Sequence, residues 1–429
     1  MILLMFGVLF ALIALELPIA FALVCAAFFY IFAGTSIPPS IVVQRMSSGI
    51  DSFPLLAIPL FVLAGNLLNS SGIARRLFEF SIALIGHLRG GLAQVNILAS
   101  MIFSGMSGTT TSDVAGLGRI EIPMMVKEGF RPETAAVVTA VSATIGPIIP
   151  PSVPFILYGA LTGTSIGALF LGGIVPGVLL GLWLMAVVAW LAHRGVISSV
   201  RYTRGRASAN AMWVAFRRSF WALLTPVILI GGMTTGWFTA TEAAGVAVVY
   251  AIVIVRWIYR SVTWRELFGM FCESAEYVGV IMIIVAAASV FGWLVIQAGG
   301  SEIFLGWIRA FGGGPMMTLI VLNLMLLVLG MFVEATSMII LLSPILVPLI
   351  RETGIDPVHF GVVFTLNMMI ATLTPPVGIC GLIASQIAGV SMQRFAREVA
   401  PYVVAMIAFL FFILFVPPLV TFVPGLVFD

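Results

Sequence analysis

A chain of 429 residues with 61% hydrophobic and 9% charged residues is far more apolar than a soluble domain, in which about 25% are charged. A net charge of +3 gives no basis for nucleic-acid binding, and Cys25, Cys272 and Cys380 lie in or beside apolar runs, as packing residues rather than a disulfide frame or metal cluster. No metal-ligand spacing, phosphate loop or nucleophile elbow occurs, so the chain reads as an all-α polytopic membrane protein, not an enzyme, with room for about ten spans of ~20 residues.

Residues 2–34 form one apolar tract broken only near Glu16 and Pro18. It is either one strongly tilted helix or two elements, and it lacks the basic flank and cleavage site of a signal peptide. Residues 35–53 are polar enough for a loop, and 54–70 form a span. In 73–89, Arg75, Arg76, Glu79, His87 and Arg89 interrupt Leu77, Phe78, Phe80, Ile82 and Leu84. That pattern fits an amphipathic helix along the interface, or a polar extension of the preceding span.

Residues 91–104 are too short to cross and run into the polar tip GMSGTTTSD, after which 115–126 is apolar again. This predicts a re-entrant helical hairpin at about 91–127. The charged turn Lys127–Glu133 follows, then a span at 134–163 broken by GPIIPPS, whose Pro150 and Pro151 remove two backbone donors. Residues 166–192 complete the first half. His193 to Arg218 holds Arg194, Arg201, Arg204, Arg206, Arg217 and Arg218 with no acid, which makes 193–218 a cytoplasmic linker suited to anionic membrane lipid.

In the second half, 219–232 and 240–259 are spans, 261–276 is again amphipathic, and 278–298 spans. Residues 315–329 and 338–350 flank a second polar tip, a hairpin at about 315–351. Residues 358–388 are broken at TLTPPVG, which contains Pro375 and Pro376, and the last span ends near Pro417.

The stretch Gly105–Pro151 recurs at Gly330–Pro376, a shift of 225, with 14 identities over 47 positions and no gap. Gly105/Gly330, Pro123/Pro348, Gly129/Gly354, Pro132/Pro357 and both Pro-Pro pairs coincide. The chain therefore holds two repeats, 1–192 and 219–429. Walking outward from the basic linker puts the Lys127/Arg131 turn and the Arg394/Arg397 loop inside, and residues 299–315 outside. The two repeats are thus expected in inverted topology, a recurrent plan of secondary transporters.

Irregular backbone at membrane depth persists only where it is buried in protein or lines a watery cavity. Each repeat offers one hairpin tip and one Pro-Pro break. Their hydroxyls and freed carbonyls suit Na+, and their half-helix N-termini suit a carboxylate. The first sodium site is assigned to Ser104, Gly105, Ser107, Gly108, Thr144 and Gly146, and the second to Gly330, Glu334, Thr336, Thr372 and Thr374. Thr109, Thr110, Thr111, Ser112, Asp113, Pro150, Pro151, Glu334, Pro375 and Pro376 are the candidates for holding an organic-acid substrate. Asp113 reads as a cap of the return helix as readily as a ligand. Glu334 reads as a group for cation balance or substrate contact.

PIAFAL at Pro18–Leu23, FVLAGNLL at Phe61–Leu68, GMSGTTTSDVAGLG at Gly105–Gly118, GPIIPPS at Gly146–Ser152 and TPPVG at Thr374–Gly378 give the chain a family resemblance over essentially its full length. It resembles the large membrane subunit of tripartite ATP-independent periplasmic (TRAP) transporters, within the ion transporter superfamily. One departure is the first tip, SGTTT here, where such proteins often carry SGSS. The resemblance implies an elevator-type importer of the bacterial inner membrane, driven by Na+ and carrying dicarboxylates, sialic acid or similar acids. It also implies two partners, a small four-helix membrane subunit and a periplasmic binding protein, with 73–89 and 261–276 as arms. The alternatives are a stand-alone carboxylate/Na+ symporter of the same superfamily and a cation/proton antiporter.

Overall fold

A computed structural model describes residues 1–70, 72–88, 90–195, 197, 205–300, 302, 306, 314–375 and 378–428. Pro376, Arg89, Arg201 and Arg204, named above, lie outside the described residues. Within them the secondary structure is helical, with no strand.

The first tract divides in two: α1 (Ile2–Ala14) and α2 (Ile19–Phe32) pack against each other. The division follows from Pro18, which cannot continue a helix, and from Glu16 at φ 63°. Each is only ~20 Å long. The expected loop 35–53 instead contains α3 (Ser40–Ile50), which packs on the long helix α13 (Trp264–Gln297). Its Gly49 lies so close to that helix that a Cβ would come within 2.1 Å of Ser289 Oγ. A 3-10 turn leads from α3 to α4 (Ala57–Ser70), at a bend of 60°.

α5 (Ile73–Ile85) is amphipathic as read: Ile73, Ala74, Leu77, Phe78 and Ser81 are buried at helical spacing. The first hairpin is α6 (Leu92–Ser107) and α7 (Thr110–Lys127). Its tip is tighter than the sequence suggests. Only Gly108 and Thr109 leave the helices, Gly108 at φ 68°, a conformation open to glycine at no steric cost. The polar run Thr110–Asp113 forms the first turn of α7.

α8 (Pro132–Ala143) and α9 (Val153–Thr162) are the halves of the first broken helix, and α10 (Ile166–His193) follows. α11 (Ala209–Thr234) begins well inside the expected linker, because Ser208 caps it by accepting from Ala211 N. α12 (Ala240–Val253) ends in a π turn at Ile254–Ile258. The separate arm and span expected at 261–276 and 278–298 are one helix of 34 residues, α13 (Trp264–Gln297). No Gly-Pro break falls near Glu276, and a capping box at Thr263/Glu266 fixes a single start.

The second hairpin is α14 (Pro315–Gly330) and α15 (Ala335–Glu352), and the second broken helix is α16 (Pro357–Ala371) and α17 (Ile379–Ala388). α18 (Met392–Phe415) is followed by an unforeseen α19 (Pro418–Phe428), with proline at the first helical position. Among the described residues six helices are long and apolar enough to cross a membrane, α15 of the second hairpin included, or seven if α3 and α4 count as one bent span. That is fewer than the ten or so the composition allows, because α1, α2, α6, α14 and the pieces of the broken helices are shorter.

Polar contacts tie the ends together. The turn between α7 and α8 meets α18 through Arg131–Glu398 at 2.7 Å and Glu133–Arg394 at 3.3 Å. The start of α5 meets α11 through Ser219 Oγ donating to Arg76 O at 3.1 Å. The foot of the second hairpin meets the end of α9 elsewhere: Arg351 donates to Thr162 O at 3.0 Å, and Tyr158 to Pro357 O at 2.8 Å.

Candidate functional site

In the first repeat the tip and the break touch. Val153 N donates to Gly108 O at 3.2 Å, and a Cβ on Gly108 would sit 2.6 Å from Pro151 O. α4 presses from the other side, where a Cβ on Gly65 would meet Ser107 O at 3.0 Å. Into this contact projects Asp113, fully buried. Ser107 Oγ donates to its Oδ1, while its Oδ2 has no hydrogen-bond partner. Oδ2 lies over Gly146, where a Cβ would be 2.3 Å away. Asp113 thus joins the tip to the break, and Gly146 is needed because only a residue without Cβ leaves the carboxylate room.

A buried carboxylate oxygen without a donor is costly unless a cation or a proton offsets it. Ser107, Gly108, Asp113 and Gly146 meet at this point of the tip and the break. Thr144 is buried on the same turn, its hydroxyl donating to Val141 O at 2.6 Å. Two other residues of the expected first sodium site have further contacts. Ser104 Oγ donates back to Ser100 O at 2.6 Å, and Gly105 gives α6 close approach to Pro226 of α11, at 2.8 Å from a built Cβ.

The second repeat repeats the contact without the carboxylate bridge. A Cβ on Gly330 would lie 2.6 Å from Ala371 Cβ, so this tip also packs on its break. Beyond the break, Cys380 N donates to Thr372 O at 3.1 Å, and Thr374 Oγ1 donates to Ile370 O at 2.8 Å. Glu334 is the N-cap of α15, accepting from Thr336 N at 2.9 Å and Ser337 N at 2.8 Å. Of the two readings open for Asp113, cap or ligand, the structure removes the first, and it adds a cap to the reading of Glu334. Asp113 is not a cap but a buried group inside the first turn of α7, and Glu334, expected as a charge-balancing group, is the cap. The shift of 225 accounts for this, since Glu334 corresponds to Thr109, the N-cap of α7, whose side chain makes no capping bond.

The two repeats meet between the tips. A narrow crevice of about 40 Å³ is lined by Thr109–Thr111 of the first tip and Glu334–Thr336 of the second, with Met369, Thr372 and Cys380 from the second break. Thr110 Oγ1 donates to Met369 Sδ at 3.0 Å across it. A cavity of about 310 Å³, lined by Asn66, Ser107, Thr109, Thr111, Ser112 and Tyr277 among others, adjoins it. Pro150, Pro151 and Pro375 shape the breaks but do not line either space.

Tyr277 of α13, Asn66 of α4, Met369 and Cys380 escape a reading based on tips and breaks. Asn66 carries a signal, a lone amide inside FVLAGNLL. It receives support from α13, its Nδ2 donating to Ser274 Oγ at 2.9 Å. Tyr277 carries none, because its place depends on α13 running unbroken past the tips.

Each hairpin is also tied to its own broken helix by a buried amide. Asn96 of α6 donates to Thr139 Oγ1 at 2.7 Å and accepts from Ser142 Oγ at 2.7 Å. Asn367 of α16 donates to Asn323 Oδ1 of α14 at 3.0 Å. Ser142 and Asn367 are equivalent under the shift of 225, so the duplication extends to hydrogen bonding.

The chain is similar to known proteins over nearly its whole length. The chain is 38% identical over 421 residues to the sialic acid TRAP transporter large permease protein SiaM of Vibrio cholerae, covering 98% of this chain and 96% of that protein. It is 36% identical to the 2,3-diketo-L-gulonate TRAP transporter large permease protein YiaN of Escherichia coli, covering 98% of each. It is 34% identical to the C4-dicarboxylate TRAP transporter large permease protein DctM of Rhodobacter capsulatus, covering 99% of each. In three dimensions it is similar to the YdaH transporter of Alcanivorax borkumensis, with TM-score 0.61 and 14% identity over 87% of this chain and 86% of that one. MtrF of Neisseria gonorrhoeae gives TM-score 0.60 and 11% identity over 91% of this chain and 92% of that one, and both likenesses concern the fold alone. The family model for the DctM component of the tripartite ATP-independent periplasmic transporters matches residues 6–419, and the chain belongs to that family, as a multi-pass protein of the inner membrane.

Proposed function

We propose that this chain is the transport subunit for Na+-coupled import of an organic acid, with one sodium held at Asp113 and the substrate carboxylate held between the two tips. The observation that carries the reading is Asp113 Oδ2, fully buried and without a partner at the contact of tip and break. A monovalent cation there offsets the carboxylate, with hydroxyl and backbone oxygens of Ser107, Gly108 and the Thr144–Gly146 turn close by. Thr372, Thr374, Thr336, Gly330 and Glu334 are the corresponding residues for a second sodium.

The seat for the substrate is the start of α7. Its first N–H groups lack intrahelical partners and its cap side chain leaves them unbonded, whereas Glu334 already occupies those of α15. The threonines at 109–111 and Tyr277 supply hydroxyls beside it. Relatives named for sialic acid, diketogulonate and C4-dicarboxylates share one feature, a carboxylate, and that is the group this seat fits.

The opposed feet of the hairpins support an inverted arrangement. The first foot shares an end with α18 and the second shares one with the α9–α10 junction. With the repeats inverted, the paired tips move as one body in an elevator cycle, against a scaffold that includes α13. The family implies a small membrane subunit and a periplasmic binding protein as partners in this work.

The test is uptake by the reconstituted system of this subunit and both partners, under an imposed Na+ gradient. Wild-type uptake of the cognate acid is expected to stop without Na+. Asp113→Asn is expected to lower uptake by about 100-fold or more at equal protein, a loss of about 2.7 kcal/mol. Sodium-dependent uptake unchanged in Asp113→Asn would refute the site.

A further inference from the structure

A second carboxylate lies below Asp113 on the same helix. Glu121 is fully buried, and neither Oε1 nor Oε2 has a hydrogen-bond partner. Asp113 and Glu121 are the fully buried acids among the described residues. Eight residues of α7 separate them, ~12 Å along the axis. The sodium site accounts for Asp113 and leaves Glu121 unexplained.

Among the described residues, the helices packed most closely on α7 bring Glu121 no counter-charge. α4, α6 and α17 contain no Asp, Glu, Lys or Arg, and the thiol of Cys380 is the titratable group on α17. α8 has only Glu133, which is paired with Arg394. α5 has Arg75 and Glu79, paired with each other, and Arg76, stacked 3.9 Å from the Tyr259 ring. On α7 itself, Arg119 and Lys127 are exposed. On the same helix face, a Cβ on Gly118 one turn above Glu121 would meet Thr139 and Ile387 at 3.4 Å, and Asn96 Nδ2 lies 3.6 Å from Met125 Sδ one turn below.

We infer that Glu121 is a proton-binding site of the first hairpin, occupied at neutral pH, so that the hairpin carries one bound proton besides its sodium. A bare carboxylate in such surroundings needs either a cation with a full set of oxygen ligands or a proton. A proton requires no ligand set, whereas a cation would need several oxygens besides those of the carboxylate. The inference deepens the sodium reading, on which its charge count rests. With Glu121 neutral, the buried part of the hairpin carries one negative charge, from Asp113, which one Na+ balances.

The experiment is infrared spectroscopy of the purified full-length protein at neutral pH in saturating Na+, with uptake measured on the same variants. Wild type is expected to show the carbonyl stretch of a protonated carboxylic acid, and Glu121→Gln to lose it. Because an amide replaces a neutral acid with little change of shape, Glu121→Gln is expected to keep its sodium half-saturation within about twofold of wild type. If Glu121→Gln does not fold, Asp113→Asn answers instead, since the band must persist in it. A wild type without the band, a band retained in Glu121→Gln, a band missing from Asp113→Asn, or a Glu121→Gln variant that has lost sodium dependence would each overturn the inference. Failure of the sodium reading has a different signature: Asp113→Asn then transports normally, while the Glu121 band is still present.

Discussion

Two glycines of the first repeat, both assigned to one cation site by sequence, separate at the level of single atoms. Gly146 faces the free oxygen of Asp113, whereas Gly105 faces Pro226 on a different helix. A methyl group at 146 must displace the carboxylate, so Gly146→Ala is expected to raise the sodium half-saturation of uptake about tenfold or more, some 1.4 kcal/mol, with expression near normal. A methyl at 105 meets a proline that cannot yield easily. Gly105→Ala is expected to cost about 1–3 kcal/mol of stability by overpacking, read as a lowered melting temperature, while the half-saturation for sodium stays put. Similar behaviour of the two variants would mean that Asp113 and Gly146 do not define the sodium site. A motif reading finds both glycines but has no means of telling which side of α6 or of the break each one faces.

Helix ends decide how much of the architecture is legible from sequence. Hairpins, broken helices and the amphipathic face of α5 follow from glycines, prolines and hydrophobic spacing, and the structure contains them. The continuity of α13 and the early start of α11 depend on caps formed by Thr263 and Ser208, single polar residues that composition reads as loop. Asp113 and Glu334 show the same limit at the site. Both are acids beside a polar tip, and only their register on the return helix, one at the cap and one inside the first turn, distinguishes a cap from a buried charge. The capping boxes of α12 and α13 are the local test of this point. Thr239 and Thr263 each accept from the backbone N–H of Glu242 and Glu266, whose carboxylates accept in return from the backbone N–H and hydroxyl of the threonine. Thr239→Ala and Thr263→Ala are each expected to cost about 0.5–2 kcal/mol at the cap, read as faster amide exchange confined to the first turn of α12 or α13. Exchange unchanged in both variants would show that the boxes do not secure those turns.

At the scale of the whole molecule, the two tips form one site only if the repeats enter the membrane from opposite faces. Polar contacts join three pairs of helix ends: the basic start of α5 with α11, the foot of the first hairpin with the start of α18 through Arg131–Glu398 and Glu133–Arg394, and the foot of the second hairpin with the end of α9 through Arg351 and Thr162. On the positive-inside rule the arginines of the first two pairs are expected on the cytoplasmic side. Arg394 and Glu352 are exposed at the two feet, so each can report its side. In a background with Cys25, Cys272 and Cys380 replaced, Arg394→Cys is expected to react with a membrane-impermeant maleimide only in inside-out vesicles. Glu352→Cys is expected to react only in right-side-out spheroplasts. Labelling of both from one face would place the two hairpins in parallel, and the tips of α7 and α15 could not then meet across a crevice near the midplane. Opposite labelling would make the lone carboxylate of the first tip and the capped carboxylate of the second two unequal halves of one transport site.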